Sequence, residues 1–132
     1  MMAKVLSKES TLFERDEKGE LIPQVVNIDV EKDNPKYDEL KDTQIKVTPM
    51  TRGEIKRIFS SLDAGAEKER DVDEEIIIKH CIEPNYTKED IKFLKSEYST
   101  PIVATILKIS GLDTSKSKRV ALEEAEEQFS KN

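Results

Sequence analysis

The sequence predicts a mainly α-helical fold of the α+β class: a compact bundle of about four to five helices preceded by a small N-terminal β-hairpin or strand element. Three observations predict it. Capping boxes occur at Thr51–Glu54 and at Thr87–Asp90, apolar residues follow the first box at helical spacing, and Pro or Gly stands where the predicted helices begin and end.

The segment from Thr51 to Leu62 carries the clearest helix pattern. Thr51 can accept a hydrogen bond from the first turn, and Glu54, three residues later, can reach back to the Thr51 N–H. A single apolar stripe follows at i, i+3, i+4 and i+7, formed by Ile55, Ile58, Phe59 and Leu62. The alternating segment Gln44–Thr48 predicts a strand that leads into this helix.

A second helix is predicted from about Asp71 or Asp73 to Ile82. Its apolar residues cover more than half of its circumference, so we expect it to be the central and most buried helix. Pro84 ends it, because the residue before a proline is pushed out of the helical region.

Two further helices are predicted before residue 112. Thr87 begins the third, with Asp90 standing where a capping box usually has Glu or Gln. Pro101 takes the first position of the fourth, where its missing N–H costs little. Gly111–Leu112 predicts a Schellman ending, with Gly in the left-handed conformation and Leu folded back on the last turn.

The two flanks are less regular. Thr11–Phe13 and Glu20–Ile28 resemble two short strands around a turn that contains Gly19. Ser117–Phe129 can form a last helix, but its basic start and acidic end oppose the helix dipole and should encourage fraying. We therefore divide the chain into an N-terminal β-hairpin with a polar connection (1–42), a helical core domain (43–112) and a C-terminal marginal helix or tail (113–132).

Composition restricts the classes of function. The 132 residues include 28 acidic and 22 basic ones, which gives a net charge of −6, and no contiguous basic patch is present, so a nucleic-acid partner is not expected. The run Ile76–Ile78 is too short to cross a membrane, and the N-terminus lacks the apolar stretch of a signal peptide. The single Cys81 cannot form an intramolecular disulfide. A cytoplasmic protein with no membrane partner is the expectation.

No arrangement of residues predicts chemistry. His80 and Cys81 are adjacent on a predicted helix and point about 100° apart, so they are poorly placed to share a metal or to act as base and nucleophile. We expect Cys81 to be a small core residue and His80 to lie on a helix flank. The acidic run around Asp73 is typical of a solvated helix start, and the isolated Gly53 and Gly65 form no phosphate-binding loop. The sequence predicts no catalytic residue, cofactor or metal.

The order of elements from Ile45 to Leu112 carries a family resemblance. A strand precedes the helix start Pro49–Glu54, and there follow the helix ending Cys81–Asn85, the helix start Tyr86–Asp90 and the closing helix Ile102–Leu112. Together these features resemble the short phage tail assembly chaperones that are encoded between tail-tube and tape-measure proteins, including prophage versions from Gram-positive hosts. The resemblance covers roughly half of the chain and consists of caps and apolar positions.

The resemblance implies a non-enzymatic role. Such chaperones bind the long, helical, aggregation-prone tape-measure protein in the host cytoplasm, keep it soluble while the tail tube polymerises, and are absent from the finished virion. Many also occur in a longer form made by ribosomal frameshifting, so this chain would be the short form. The tape-measure protein is the expected partner, with the tail tube protein as a second candidate. The alternative is a cytoplasmic adaptor or regulatory protein that docks a partner helix.

The expected partner-binding residues lie in the C-terminal segment. Leu122, Ala125 and Phe129 form a thin stripe at i, i+3 and i+7 on a helix that is marginal by itself. Such a helix can gain order by laying its stripe against a partner helix. The same residues could instead pack back on the domain, and the sequence leaves both possibilities open.

Overall fold

The computed structural model describes residues 5–62 and 66–112. Within them the chain forms a mixed α+β fold in which a three-stranded sheet lies beside five helices. The strands are β1 (Gln24–Asn27), β2 (Gln44–Val47) and β3 (Cys81–Glu83), and the helices are α1 (Tyr37–Leu40), α2 (Arg52–Leu62), α3 (Ala66–His80), α4 (Lys88–Ile91) and α5 (Ser96–Ile109). None of these helices has the length and apolar character needed to cross a bilayer.

The sheet is antiparallel, and β2 is its central strand. Val26 of β1 lies opposite Ile45 of β2, and Lys46 lies opposite Glu83 of β3, with an irregularity in register after Lys46. Ile45 and Val47 alternate with more exposed neighbours and are buried, as a strand with one face on a core requires.

The prediction of a compact helical bundle with a separate β element is wrong. The sheet is part of the fold, because β2 pairs on both sides and its buried face belongs to the same core as the helices. The second predicted helix was extended to Ile82, whereas α3 ends at His80 and Cys81–Glu83 continue as β3. Pairing with β2 therefore overrides the helical pattern of these residues, and a three-residue strand has too little pattern of its own to reveal this.

The predicted N-terminal hairpin is also wrong in its pairing. The turn at Gly19 exists, with φ at 82°, and Arg15 and Leu21 form an antiparallel bridge across it. The second arm, however, continues past Pro23 as β1 and pairs with β2 instead of with Thr11–Phe13. Residues 9–11 form a short 3-10 turn.

Several predicted helix ends are confirmed. The Thr51 hydroxyl accepts from the Glu54 N–H at 3.3 Å, and the Glu54 carboxylate accepts from the Thr51 N–H at 3.4 Å. Thr87 and Asp90 form the corresponding box at the start of α4. At the end of α5, Gly111 has a φ of 87°, and the Leu112 N–H donates to the Leu107 carbonyl oxygen at 3.0 Å, as in a Schellman motif.

The predicted start of the last core helix at Pro101 is wrong. The helix α5 begins five residues earlier, at Ser96, and Pro101 lies inside it. The preceding helix, α4, is a single turn.

The core is organised by α3, which packs against α2 and α5 and runs directly into β3. Arg57 of α2 and Glu75 of α3 form an ion pair at 2.9 Å on its surface. Burial acts to raise the pKa of Glu75, but the hydrogen bonds from Arg57 and Lys79 outweigh it and leave the pKa lowered. The most deeply buried apolar side chains are those of Val47, Met50, Ile58, Ile76, Ile77 and Ile106.

We expect Ile58→Ala and Ile77→Ala each to lower the free energy of unfolding by about 2–5 kcal/mol, because each leaves a cavity in a packed core. Denaturant titration measures this. Phe93→Ala is the control, since Phe93 is 83% exposed, and its truncation should change stability by less than about 0.5 kcal/mol. Core variants that unfold at the wild-type denaturant concentration would contradict the core assignment.

Candidate functional site

Pro101 removes one backbone hydrogen bond from the first part of α5. Proline has no N–H, so the Glu97 carbonyl oxygen, four residues earlier, loses its helical donor. The Asn34 side-chain amide supplies one instead and donates to this oxygen at 2.9 Å. The Asn34 amide oxygen accepts from the Lys36 N–H at 2.8 Å, which fixes the side chain in place. The hydrogen bond that Pro101 cannot make is therefore replaced by one from Asn34, which lies 63 positions from Glu97 in sequence.

A second set of hydrogen bonds between the loop and α5 is formed by Thr105, one turn after Pro101. The buried Thr105 hydroxyl donates to the Pro101 carbonyl oxygen at 2.7 Å and accepts from the Asp29 N–H, also at 2.7 Å. Together with Asn34, it fastens both ends of the segment Asp29–Pro35 to α5. A loop that would otherwise be mobile is thus held in one position against the helix.

A surface groove of about 600 Å³ lies between this segment and α5. We call it the α5 groove. The helix contributes Ser96, Glu97, Thr100, Pro101 and Ala104, which recur at the spacing of one helical face. The opposite wall comes from residues between Asp29 and Pro35.

The α5 groove combines apolar surface with negative charge. Pro35, Pro101 and Ala104 contribute apolar surface, and four lining residues carry carboxylates: Asp29, Glu31, Asp33 and Glu97. Among the described residues that line the groove, none is a lysine, arginine or histidine, and Lys32, between two of the carboxylates in sequence, does not line it. The groove therefore presents a negative potential around an apolar strip.

A hydrogen bond from Tyr98 to Glu39 connects α5 to α1 next to this region. The Tyr98 hydroxyl donates to the Glu39 carboxylate at 2.9 Å. This hydrogen bond, together with desolvation and the charges of Glu39 and Glu97, raises the pKa of Tyr98. The phenol therefore stays protonated at neutral pH and remains a donor.

The sequence pointed to a different partner site. Leu122, Ala125 and Phe129 lie outside the described residues. The α5 groove was missed because its two walls are far apart in sequence and the α5 residues that line it lie outside the apolar stripe of that helix. Two signals could have drawn attention to it: the long polar connection containing Asn34–Pro35, and a proline within an otherwise helical apolar pattern.

The prediction for His80 is wrong, because this side chain is buried and only 5% exposed. Its Nδ1 lies 3.0 Å from the Thr48 hydroxyl and its Nε2 lies 2.8 Å from the Glu54 carboxylate. The Thr48 N–H also donates to the His80 carbonyl oxygen at 2.8 Å. The end of α3 is thereby bonded to the end of β2 and to the first turn of α2.

A hydroxyl, an imidazole and a carboxylate in a line are the groups of acyl-transfer catalysis. Here the Thr48 residue is only 9% exposed, and none of the three residues is among those that line the α5 groove. A nucleophile needs space for a reacting atom beside it. We therefore assign Thr48, His80 and Glu54 a structural role.

Cys81 is a buried core residue, as predicted. Its thiol donates to the Pro84 carbonyl oxygen at 3.1 Å, and burial raises its pKa to about 11. The thiol is therefore protonated and unreactive at neutral pH. Among the described residues, no group of three or more His, Cys, Asp or Glu side chains could hold a metal ion.

A further hollow with apolar residues in its lining is near the N-terminus. Phe13, Ile22, Pro23 and Pro49 line a hollow of about 360 Å³. It is smaller than the α5 groove, and the described residues that line the two are different.

We expect Asn34→Asp to lower the free energy of unfolding by about 1–3 kcal/mol, because it keeps the acceptor and removes the donor to the Glu97 carbonyl oxygen. Pro101→Ala restores a backbone N–H for that oxygen. The cost of Asn34→Asp should therefore be smaller in the Pro101→Ala background, and denaturant titrations of the four proteins measure the difference. An equal cost in both backgrounds would show that Asn34 does not compensate for the proline.

Comparison with models of protein families, with curated proteins and with solved structures gives no significant match for this chain.

Proposed function

We propose that this chain is a non-enzymatic tail assembly chaperone that binds the phage tape-measure protein and keeps it soluble while the tail tube assembles. The observation that carries the proposal is the α5 groove, a preformed surface site whose apolar strip and carboxylate rim suit a segment of another polypeptide. The resemblance of Ile45–Leu112 to these chaperones supplies the identity of that polypeptide.

The chemistry of the groove favours a polypeptide over a small metabolite. Sites for small molecules usually enclose the ligand and fix it with a few precisely placed polar groups. In the α5 groove, by contrast, Glu31, Asp33, Pro35, Ser96 and Thr100 are all exposed residues. A surface of this kind suits a long ligand that is held at several points and can leave again.

The buried polar residues are consistent with a role that needs no catalysis. The Thr48–His80–Glu54 cluster is used within the fold, and the Cys81 thiol is buried and protonated. The net charge of −6 disfavours a nucleic-acid partner, because phosphates would be repelled. In the proposed role the chain acts in the bacterial host cytoplasm, without a membrane partner, and is not retained in the mature virion.

The proposal is compatible with a second contact between the chain and a partner protein. Leu122, Ala125 and Phe129 remain candidates for binding the same partner, and the tail tube protein remains a candidate second partner. The groove is equally suited to the alternative function, a cytoplasmic adaptor or regulatory protein that docks a partner helix. The two functions differ in what is bound: one long helical client or one short regulatory helix.

Co-expression tests the proposal. The tape-measure protein encoded beside this chain is produced with and without it, and the soluble fraction is measured after centrifugation. We expect the tape-measure protein to aggregate when it is produced alone, because its long apolar helical surface is then exposed to water. When it is produced with the chain, we expect it to be soluble and to co-purify with the chain. An unrelated long coiled-coil protein is the control and should gain nothing from the chain. A tape-measure protein that is equally soluble in both cases, or that fails to co-purify, would contradict the proposed function.

A further inference from the structure

We propose that the α5 groove binds a cationic amphipathic segment of the partner polypeptide, with apolar side chains on the strip formed by Pro35, Pro101 and Ala104 and with Lys or Arg side chains against Glu31, Asp33 and Glu97. The inference deepens the proposed function and depends on it for the identity of the partner. The chemistry of the bound segment follows from the groove alone.

Charge complementarity identifies the sign of the occupant. The carboxylates of Glu31 and Asp33 come from one wall and that of Glu97 from the other, so a bound segment has negative charge on both sides. An anionic segment would be repelled by both walls. A cationic segment would be attracted, and its approach would be accelerated at low ionic strength.

The shape of the groove indicates how much chain it holds. Its α5 wall runs from Ser96 to Ala104, which corresponds to about 12 Å at 1.5 Å per residue. This length accepts about two turns of a helix or a short extended stretch. The bound segment also needs apolar side chains. A purely basic peptide would leave the apolar strip at Pro101 and Ala104 exposed to water.

The groove is already formed in the free chain. Asn34 and Thr105 fasten the loop wall to α5 by hydrogen bonds of 2.9 and 2.7 Å. A segment that binds there does not have to order this wall, and preorganisation of this kind reduces the entropic cost of binding. The same hydrogen bonds hold the backbone of the loop beside α5.

Fluorescence anisotropy with the full-length chain tests the inference. The probe is a labelled amphipathic helical peptide of about 18 residues with leucines on one face and lysines beside them. One comparison peptide replaces each lysine by glutamate, and another has the lysine peptide's composition in scrambled order. We expect binding of the lysine peptide that weakens as NaCl rises from about 50 to about 500 mM, and little binding of the other two.

A matched pair of double variants distinguishes binding in the α5 groove from general attraction of the peptide to the chain's net negative charge. Glu31→Lys with Asp33→Lys changes the groove, whereas Glu17→Lys with Glu20→Lys makes the same charge change in the N-terminal turn, outside it. We expect the groove variant to bind the lysine peptide about tenfold more weakly and the control to bind within about twofold of wild type. Ala104→Gln, which fills the strip without changing charge, should also weaken binding.

Melting curves confirm that each variant is folded, and Glu31→Gln with Asp33→Gln replaces the groove variant if it is not. Equal weakening by both lysine double variants, or equal binding of the scrambled peptide, would overturn the inference. So would tighter binding, by about tenfold, on replacing Lys116, Lys118 and Arg119 by alanine, because the chain's own basic segment would then be the occupant. A change of oligomeric mass in the groove variant would assign the groove to a second copy and overturn it as well.

The same variants separate this inference from the proposed function. If the wild-type chain binds the lysine peptide but does not solubilise the tape-measure protein, the function is wrong and the groove chemistry stands. If the groove variant solubilises the tape-measure protein as well as wild type does, the function stands and the assignment of its binding site is wrong.

Discussion

The hydrogen bonds of His80 hold together the point at which the sheet meets helices α2 and α3. Nδ1 and the carbonyl oxygen of His80 contact Thr48 at the end of β2, and Nε2 contacts Glu54, which also caps α2. The chain can therefore leave α3 at His80 and enter β3 at Cys81 without losing its buried polar contacts. Because α5 packs on α3, the position of the α5 groove depends on this junction.

Local signals predicted the elements whose stability is local. The caps at Thr51 and Thr87 and the Schellman ending at Gly111 depend on neighbouring residues and are present in the structure. The strand β3 and the start of α5 were missed, because each depends on a distant partner. Cys81–Glu83 become a strand by pairing with β2, and Pro101 stays within a helix because Asn34 replaces the missing donor.

The same distinction explains why the candidate site was not predicted. The α5 groove joins residues 63 and 76 positions apart through Asn34–Glu97 and Asp29–Thr105, and the apolar periodicity of α5 marks its buried face, not the face that lines the groove. Amphipathicity directed attention to Leu122, Ala125 and Phe129 instead. His80 was misplaced for a related reason: a histidine at the end of a helix pattern reveals its burial only through partners in other elements, here Thr48 and Glu54.

The most direct test of this account is a double-mutant cycle on Thr48 and His80, measured as free energies of unfolding. Thr48→Val keeps the shape of the side chain and the backbone N–H but leaves the buried Nδ1 of His80 without its partner. We predict a cost of about 1–3 kcal/mol in the wild-type background and a much smaller cost when His80 is replaced by Leu. Equal costs in the two backgrounds would show that the hydroxyl and the imidazole are not coupled, and would contradict the central role given to this junction.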